Sequence, residues 1–179
     1  QFNFAQLYGA GLEPLAEQCG ISIDKTRELT ELYAKRFPTV KKFKQQVYDA
    51  CVRNGGVRNV FGRFRSIPSD LAYRAVNTLI QGTAADILKI AILRLHKFFK
   101  GKQTKILFPV HDEIVMNYVP SDGQIFGDVI RLMTTFTANG APIFRVPMEV
   151  EISVGEKNWG DKKKLDIAHI TGADLAKEE

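Results

Sequence analysis

Apolar residues recur at helical spacing through the first hundred positions, then gather into short β-like stretches. Leu12, Leu15 and Ala16 begin one helical stripe, which stops at Cys19-Gly20. Ser22 or Asp24 can cap the next helix, whose face is Leu29, Leu32, Tyr33 and Phe37 until Pro38 interrupts it. Helix resumes from Val40 to Val52 and ends at Asn54-Gly55-Gly56, a strong turn signal. Val57 to Ile67 reads as a short hairpin with Gly62 near its tip. A long helical stretch follows from Asp70 to Phe99, with Gly82 as a candidate break. Val76, Leu79, Ile80, Ile87, Ile90 and Leu95 give it a buried face.

The character then changes. Lys105 to Val110 and Ile114 to Val119 are β-like, and the polar residues His111-Asp112-Glu113 stand between them at a hairpin tip. A helix is predicted from about Asp122 to Ala138, and a last strand from Met148 to Val154, where Glu149 and Glu151 alternate with Val150 and Ile152. No repeat is present. The segment from Lys162 to Glu179 reads as a polar, loosely held tail.

At 179 residues the chain suits one domain or one large lobe, with enough length to bury a core without staples. Hydrophobic residues at 45% and charged residues at 25% exclude a disordered segment. No uninterrupted apolar run reaches the ~18 residues that span a bilayer, so no membrane association is expected. Cys19 and Cys51 have no metal-ligand spacing, which fits a reducing compartment, and no signal peptide is evident. The chain opens in patterned sequence, Gln1-Phe2-Asn3-Phe4, so residues upstream are expected to be missing.

Charge is asymmetric. Residues 1–105 carry 18 Lys/Arg against 8 Asp/Glu; residues 106–179 carry 7 against 12. The basic part holds three clusters nearly free of acids: Lys35 to Lys44, Arg53 to Arg74, and Arg94 to Lys105. A polyanion partner, most often nucleic acid, fits this pattern. So does a merely solvated basic face. The Asp112-Glu113 pair is an expensive place for negative charge, because two close carboxylates repel unless a cation sits between them. Hard divalent cations such as Mg²⁺ take such oxygen ligands. Taken alone, the tripeptide also reads as an ordinary charged turn.

The tripeptide is one of four motifs. Asn3-Phe4-Ala5-Gln6-Leu7-Tyr8-Gly9-Ala10-Gly11 opens the chain. Arg74-Ala75-Val76-Asn77-Thr78-Leu79-Ile80-Gln81-Gly82-Thr83-Ala84-Ala85-Asp86 lies in the long helix. His111-Asp112-Glu113 follows, and Gly155-Glu156-Lys157-Asn158-Trp159 comes near the end. Each is weak alone. In this order and at these spacings the set resembles the C-terminal part of family A DNA polymerases, the DNA polymerase I family, over almost the whole chain. The run Asn77 to Gln81 is similar to phage-type members.

The resemblance implies roles. Phe4 and Tyr8, spaced i, i+4 on one helix face, would bind the incoming nucleotide, Phe4 against its sugar and Tyr8 at the templating base. Gly9 and Gly11 would end that helix. Phe4 lacks the hydroxyl that some relatives carry as tyrosine, a difference the family pattern links to rejection of dideoxynucleotides. Asn77 and Gln81 would test base-pair shape in the minor groove, where acceptors occur at every base pair. Arg63 and Arg65 would contact phosphates, and either Tyr73 or Arg74 would take the place of an arginine that contacts DNA. His111 would support the primer terminus. Asp112 would be the catalytic metal ligand and Glu113 the adjacent, secondary acid of the same metal site, in a two-metal Mg²⁺ mechanism of nucleotidyl transfer from a dNTP to a primer 3′-hydroxyl.

The implied fold is α+β: helical fingers plus part of the antiparallel palm sheet of a right-hand polymerase. Fingers helices and the DNA-contacting long helix would fill residues 1–100, the palm hairpin, helix and final strand 101–161, and the tail 162–179. The hairpin and the strand at 148–154 would share one sheet with an open edge. The family's second metal-binding aspartate, the lysine immediately before Gln1, and the thumb are not found. The chain alone is therefore expected not to polymerise, and its partners would be primer–template DNA, dNTP and the N-terminal half of the polymerase. A cytoplasmic location is expected. A non-catalytic DNA-binding lobe, or a subunit of a split polymerase, is the alternative. A magnesium nuclease is a weaker one, since Phe4/Tyr8 and Asn77/Gln81 have no purpose in hydrolysis.

Overall fold

The computed structural model describes residues 2–8 and 11–165. Two compact units divide between Ala84 and Ala85. That boundary lies within the long helix that ends at Phe98.

The first unit is mostly helical. α1 spans Phe2–Tyr8, α2 Leu12–Cys19, α3 Ile23–Arg36 and α4 Pro38–Asn54. Gly11 is the N-cap of α2 rather than the end of α1, and Gly9 lies outside the described residues. Ser22 caps α3: its hydroxyl accepts the Lys25 backbone N–H. Pro38 stands in the first turn of α4, where a missing N–H costs nothing. β1 (Gly56–Arg58) pairs antiparallel with β2 (Phe64–Ser66), Val57 opposite Arg65. A Cβ on Gly56 would lie 2.1 Å from the Arg65 carbonyl oxygen, so the hairpin closes only around glycine. A 3₁₀ turn at Ser69–Arg74 leads into α5, Ala75–Phe98, which passes Gly82 without a break. Val47, Cys51, Val57, Ile67, Ala75 and Val76 meet in this unit's core.

By length and composition the helical stretch Ser69–Phe98 could cross a bilayer; its most apolar window has a mean hydropathy of 1.3. That differs from the expectation, which rested on uninterrupted apolar runs. Asn77, Gln81 and the buried Asp86 interrupt this stretch. Its apolar residues serve two cores, Val76 in the first unit and Leu95 in the second.

In the second unit β3 (Lys105–Val110) pairs antiparallel with β4 (Glu113–Asn117), with a register shift between Ile106 and Phe108. α6 covers Phe126–Thr134, shorter than the predicted span. β5 (Thr137–Ala138) and β6 (Ala141–Pro142) form a ribbon just beyond it. The predicted strand 148–154 reduces to β7, Ser153–Val154. It pairs with β8, Lys163–Lys164, inside the segment expected to be a loose tail. The α+β class holds, as helices with four separate two-stranded ribbons among the described residues. β7 does not join the β3–β4 hairpin in one sheet.

Leu95, Phe99, Ile125 and Val129 are almost wholly buried in the second core. Arg94 donates to the Leu132 and Thr135 carbonyls and lies over the Phe136 ring at 4.8 Å, fastening the end of α6. Asp122 accepts the Thr104 N–H at 2.6 Å and the Gln103 N–H at 3.1 Å, which fixes the entry to β3. These bonds, Thr104's first, hold its carboxyl below the usual aspartate value.

Leu95→Ala should cost about 3 kcal/mol in denaturant unfolding, through forfeited transfer energy and a cavity. Asp122→Asn should lower the melting temperature near neutral pH. A depressed folded pKa contributes stability that is full above the ordinary aspartate value and is lost as pH falls through the folded one. The gap between variant and parent should therefore close in acid, as read by melting curves across pH.

Candidate functional site

α1 presents two faces. Phe4 is 67% exposed, and its ring centroid lies 6.4 Å from that of Tyr8, as the i, i+4 spacing requires. Gln6, two residues from each, falls on the opposite side and is buried. Its amide donates to the Thr30 hydroxyl at 2.6 Å, and Lys44 donates to its main-chain carbonyl at 2.6 Å. A cation is favoured beside main-chain carbonyls toward the C-terminal side of a helix. Burial pushes the Lys44 amine below its usual value. Gln6, Thr30 and Lys44 escaped the sequence reading. The available signal was Gln6 itself, a polar residue on the face opposite two exposed aromatics. A cavity of about 490 Å³ opens between α1, α3, α4 and the 3₁₀ turn, lined among others by Gln6, Thr30, Tyr33, Lys44, Tyr48 and Tyr73.

The β1–β2 hairpin carries exposed Arg63 and Arg65. The Asn59 side-chain oxygen accepts the Phe61 and Arg63 backbone N–H groups at 3.1 and 3.0 Å and so shapes the tip. Its amide donates to the Gly82 carbonyl at 3.4 Å, tying the hairpin to α5. Tyr73 and Arg74 are partners: the guanidinium donates to the phenol oxygen at 3.0 Å and its carbon lies 5.4 Å from the ring centroid. Gln81 is exposed on α5. The Asn77 side-chain oxygen is buried with no hydrogen-bond partner among the described residues. A buried acceptor left without any partner would cost about 1–3 kcal/mol.

The hairpin tip of the second unit is two residues, not three. Glu113 already pairs with Val110, and the turn is His111-Asp112. His111 adopts φ 52, in the left-handed region that histidine tolerates better than most residues. Asp112 is exposed, with no hydrogen bond or ion pair among the described residues. Glu113 accepts from the Lys162 ammonium and, at 3.2 Å, from the Trp159 indole. These two donors, Lys162 first, hold its carboxyl below the usual glutamate value. The cation that the acidic pair demands is thus in part a lysine of the chain itself. Lys162 also escaped the sequence reading, because 49 residues separate it from Glu113.

The structure thus joins Phe4 with Tyr8, Tyr73 with Arg74, and the arginine hairpin with α5, all in the first unit. His111, Asp112 and Glu113 lie in the second, with Trp159 and Lys162. Among the described residues no three His, Cys, Asp or Glu side chains gather as a metal site. Asp112 has the chemistry of one oxygen ligand in a shared site, not of a complete one.

The family model described as DNA polymerase family A matches residues 1–161. The chain is 31% identical to the DNA polymerase of Mycobacterium phage D29 over 88% of its own length and 25% of the phage protein. It is 34% identical to the thermostable DNA polymerase I of Thermus filiformis over 90% of its length and 20% of that enzyme. It spans a quarter or less of these relatives. Among solved structures it is similar to the POL domain of Pol1 from M. smegmatis in complex with DNA primer-template and dNTP. That match has a TM-score of 0.64 and 30% identity, covering 74% of this chain and 25% of that one.

Lys44→Met should release the last turn of α1. Its backbone amides should exchange about tenfold faster by hydrogen–deuterium exchange, the equivalent of one charge-assisted hydrogen bond. Unchanged exchange would show that the lysine holds nothing there.

Proposed function

Because the chain belongs to DNA polymerase family A, we propose that it is the fingers and C-terminal palm portion of a template-directed DNA polymerase. The observation that carries this reading is the ordered set of four motifs inside one family match over residues 1–161. In the reaction, the primer 3′-oxygen attacks the α-phosphate of a dNTP, a new phosphodiester forms and pyrophosphate leaves.

Each residue has a task that its environment supports. Exposed Phe4 and its neighbour Tyr8 give the nucleotide an aromatic face that is indifferent to base identity. Asn77 and Gln81, one turn apart on α5, probe the minor groove. Arg63 and Arg65 contact phosphates and set register. The paired Tyr73 and Arg74 act as one DNA contact. His111 supports the primer terminus beside Asp112. Asp112 would hold Mg²⁺, with Glu113 as the secondary acid. When bound, Mg²⁺ would make the primer hydroxyl a better nucleophile and neutralise charge on the triphosphate.

One free carboxylate is too few for two ions. The second aspartate, the triphosphate-binding lysine and the thumb would come from the N-terminal half of the polymerase. Exposed apolar side chains support such a covering partner: Leu93 is 69% exposed, Leu107 56% and Val146 75%.

Primer extension with Mg²⁺ and four dNTPs should require both this chain and the N-terminal half of a matching polymerase, and Asp112→Asn should abolish it. DNA binding without extension, once the halves are shown to associate, would favour a non-catalytic lobe. Replacing both Arg63 and Arg65 by alanine should weaken DNA binding on every sequence. It should also make the slope of log affinity against log salt shallower by about 0.9 for each phosphate that is no longer neutralised.

A further inference from the structure

The motif Gly155-Glu156-Lys157-Asn158-Trp159 has no task in the scheme above. In the structure it builds a turn of one shape. The Asn158 side-chain oxygen accepts the Gly160 N–H at 2.8 Å, and the Asp161 carboxylate accepts the Asn158 N–H at 3.2 Å. Together they close a 3₁₀ turn at Trp159–Asp161. Gly155 lies against this turn: a Cβ there would come within 2.5 Å of the Asn158 carbonyl oxygen and 2.8 Å of the Asp161 carboxylate. β7 and β8 pair on either side, Val154 opposite Lys163.

The turn holds out two donors three residues apart, the Trp159 indole N–H and the Lys162 ammonium. Both reach the same oxygen of Glu113. The indole also meets the Phe108 ring of β3 edge to face, with centroids 6.3 Å apart, and the ammonium lies 5.1 Å from the indole centroid. An exposed ion pair alone would contribute little. Here a second donor, a ring contact and a closed turn fix the geometry independently of the charges.

We infer that this turn is a clamp on Glu113, with Trp159 and Lys162 as positioning residues that keep its carboxylate on the protein and leave Asp112 alone to meet a divalent cation. The role of that cation rests on the polymerase reading; the clamp itself does not. Two adjacent carboxylates left free can both ligate one ion, which uses coordination positions that a second aspartate and a substrate phosphate would need. Engaging Glu113 keeps those positions open, and it brings the charge offered at the tip nearer to one carboxylate than two.

The test uses the full 179-residue chain, whose single tryptophan gives one indole N–H resonance. Glu113→Gln should move that resonance upfield, whereas Asp112→Asn should leave it in place. Mn²⁺ serves as the probe, with free ion counted by electron paramagnetic resonance. Lys162→Met should tighten Mn²⁺ binding roughly fivefold or more by releasing a second carboxylate ligand. Lys162→Arg should retain the parent affinity, and Lys162→Met/Glu113→Gln should return to it. The clamp is refuted by an indole resonance indifferent to Glu113→Gln, by unchanged Mn²⁺ affinity in Lys162→Met, or by a gain that survives Glu113→Gln. A failure of the polymerase reading shows separately, as absent primer extension by the associated halves while these spectroscopic results hold.

Discussion

A helix of 24 residues with apolar positions along its whole length must find cover along its whole length. α5 meets that constraint only in part, with Val76 in one core and Leu95 in the other, and leaves Leu93 exposed between them. Candidate residues of the first unit depend on its first turns. Asn77 and Gln81 ride on its first turns, and the arginine hairpin is tied to its Gly82 carbonyl through Asn59. β3, which leads to the acidic tip, begins shortly after its last turn. A polar or broken α5 would cost each unit part of its own core.

The electrostatics divide along the same chain. The part up to Lys105 has ten more basic than acidic residues, and the remainder has five more acidic than basic. Arg63 and Arg65 are exposed on the hairpin, as the phosphate contacts proposed for them require. Carboxylates that would hold a cation need the reverse, a place where their own repulsion is relieved only in part. Lys162 relieves Glu113 and leaves Asp112 exposed. The tip therefore keeps one carboxylate unengaged within the described residues.

What sequence reveals depends on the range of the forces involved. The helices from Leu12 to Asn54, the Gly62 hairpin and the helical run ending at Phe98 are all written in local periodicity and turn chemistry, and the structure has each of them. The strand from Met148 to Val154 has good alternation, yet among the described residues its ladder is Ser153 and Val154, with the Ile152 carbonyl accepting the Leu165 N–H beside them. A strand exists only where a partner supplies its ladder, and that partner, Lys163–Lys164, is two charged residues in a segment that reads as a polar tail. Lys44 to Gln6 and Lys162 to Glu113 failed to show for the same reason. They are 38 and 49 residues apart, and nothing in either neighbourhood announces the other. The motifs were legible because chemistry fixes residue types at fixed spacings. Their supporting contacts were not, because many side chains can support a helix or a carboxylate.

Turn length then decides how two adjacent acids come to differ. With Val110 opposite Glu113, a two-residue turn puts Glu113 in the ladder and Asp112 outside it. In the ladder, Glu113 has fixed strand neighbours, and the Trp159 turn can reach it with both donors. Outside the ladder, Asp112 has no such neighbours and is exposed. The left-handed backbone of His111 is the local cost of so short a turn, and the strands on either side hold it there. A one-residue change in the turn would shift the register of every residue beyond it and move Glu113 out of reach of its clamp. The parity of the hairpin, more than the identity of the acids, thus separates an engaged carboxylate from an available one.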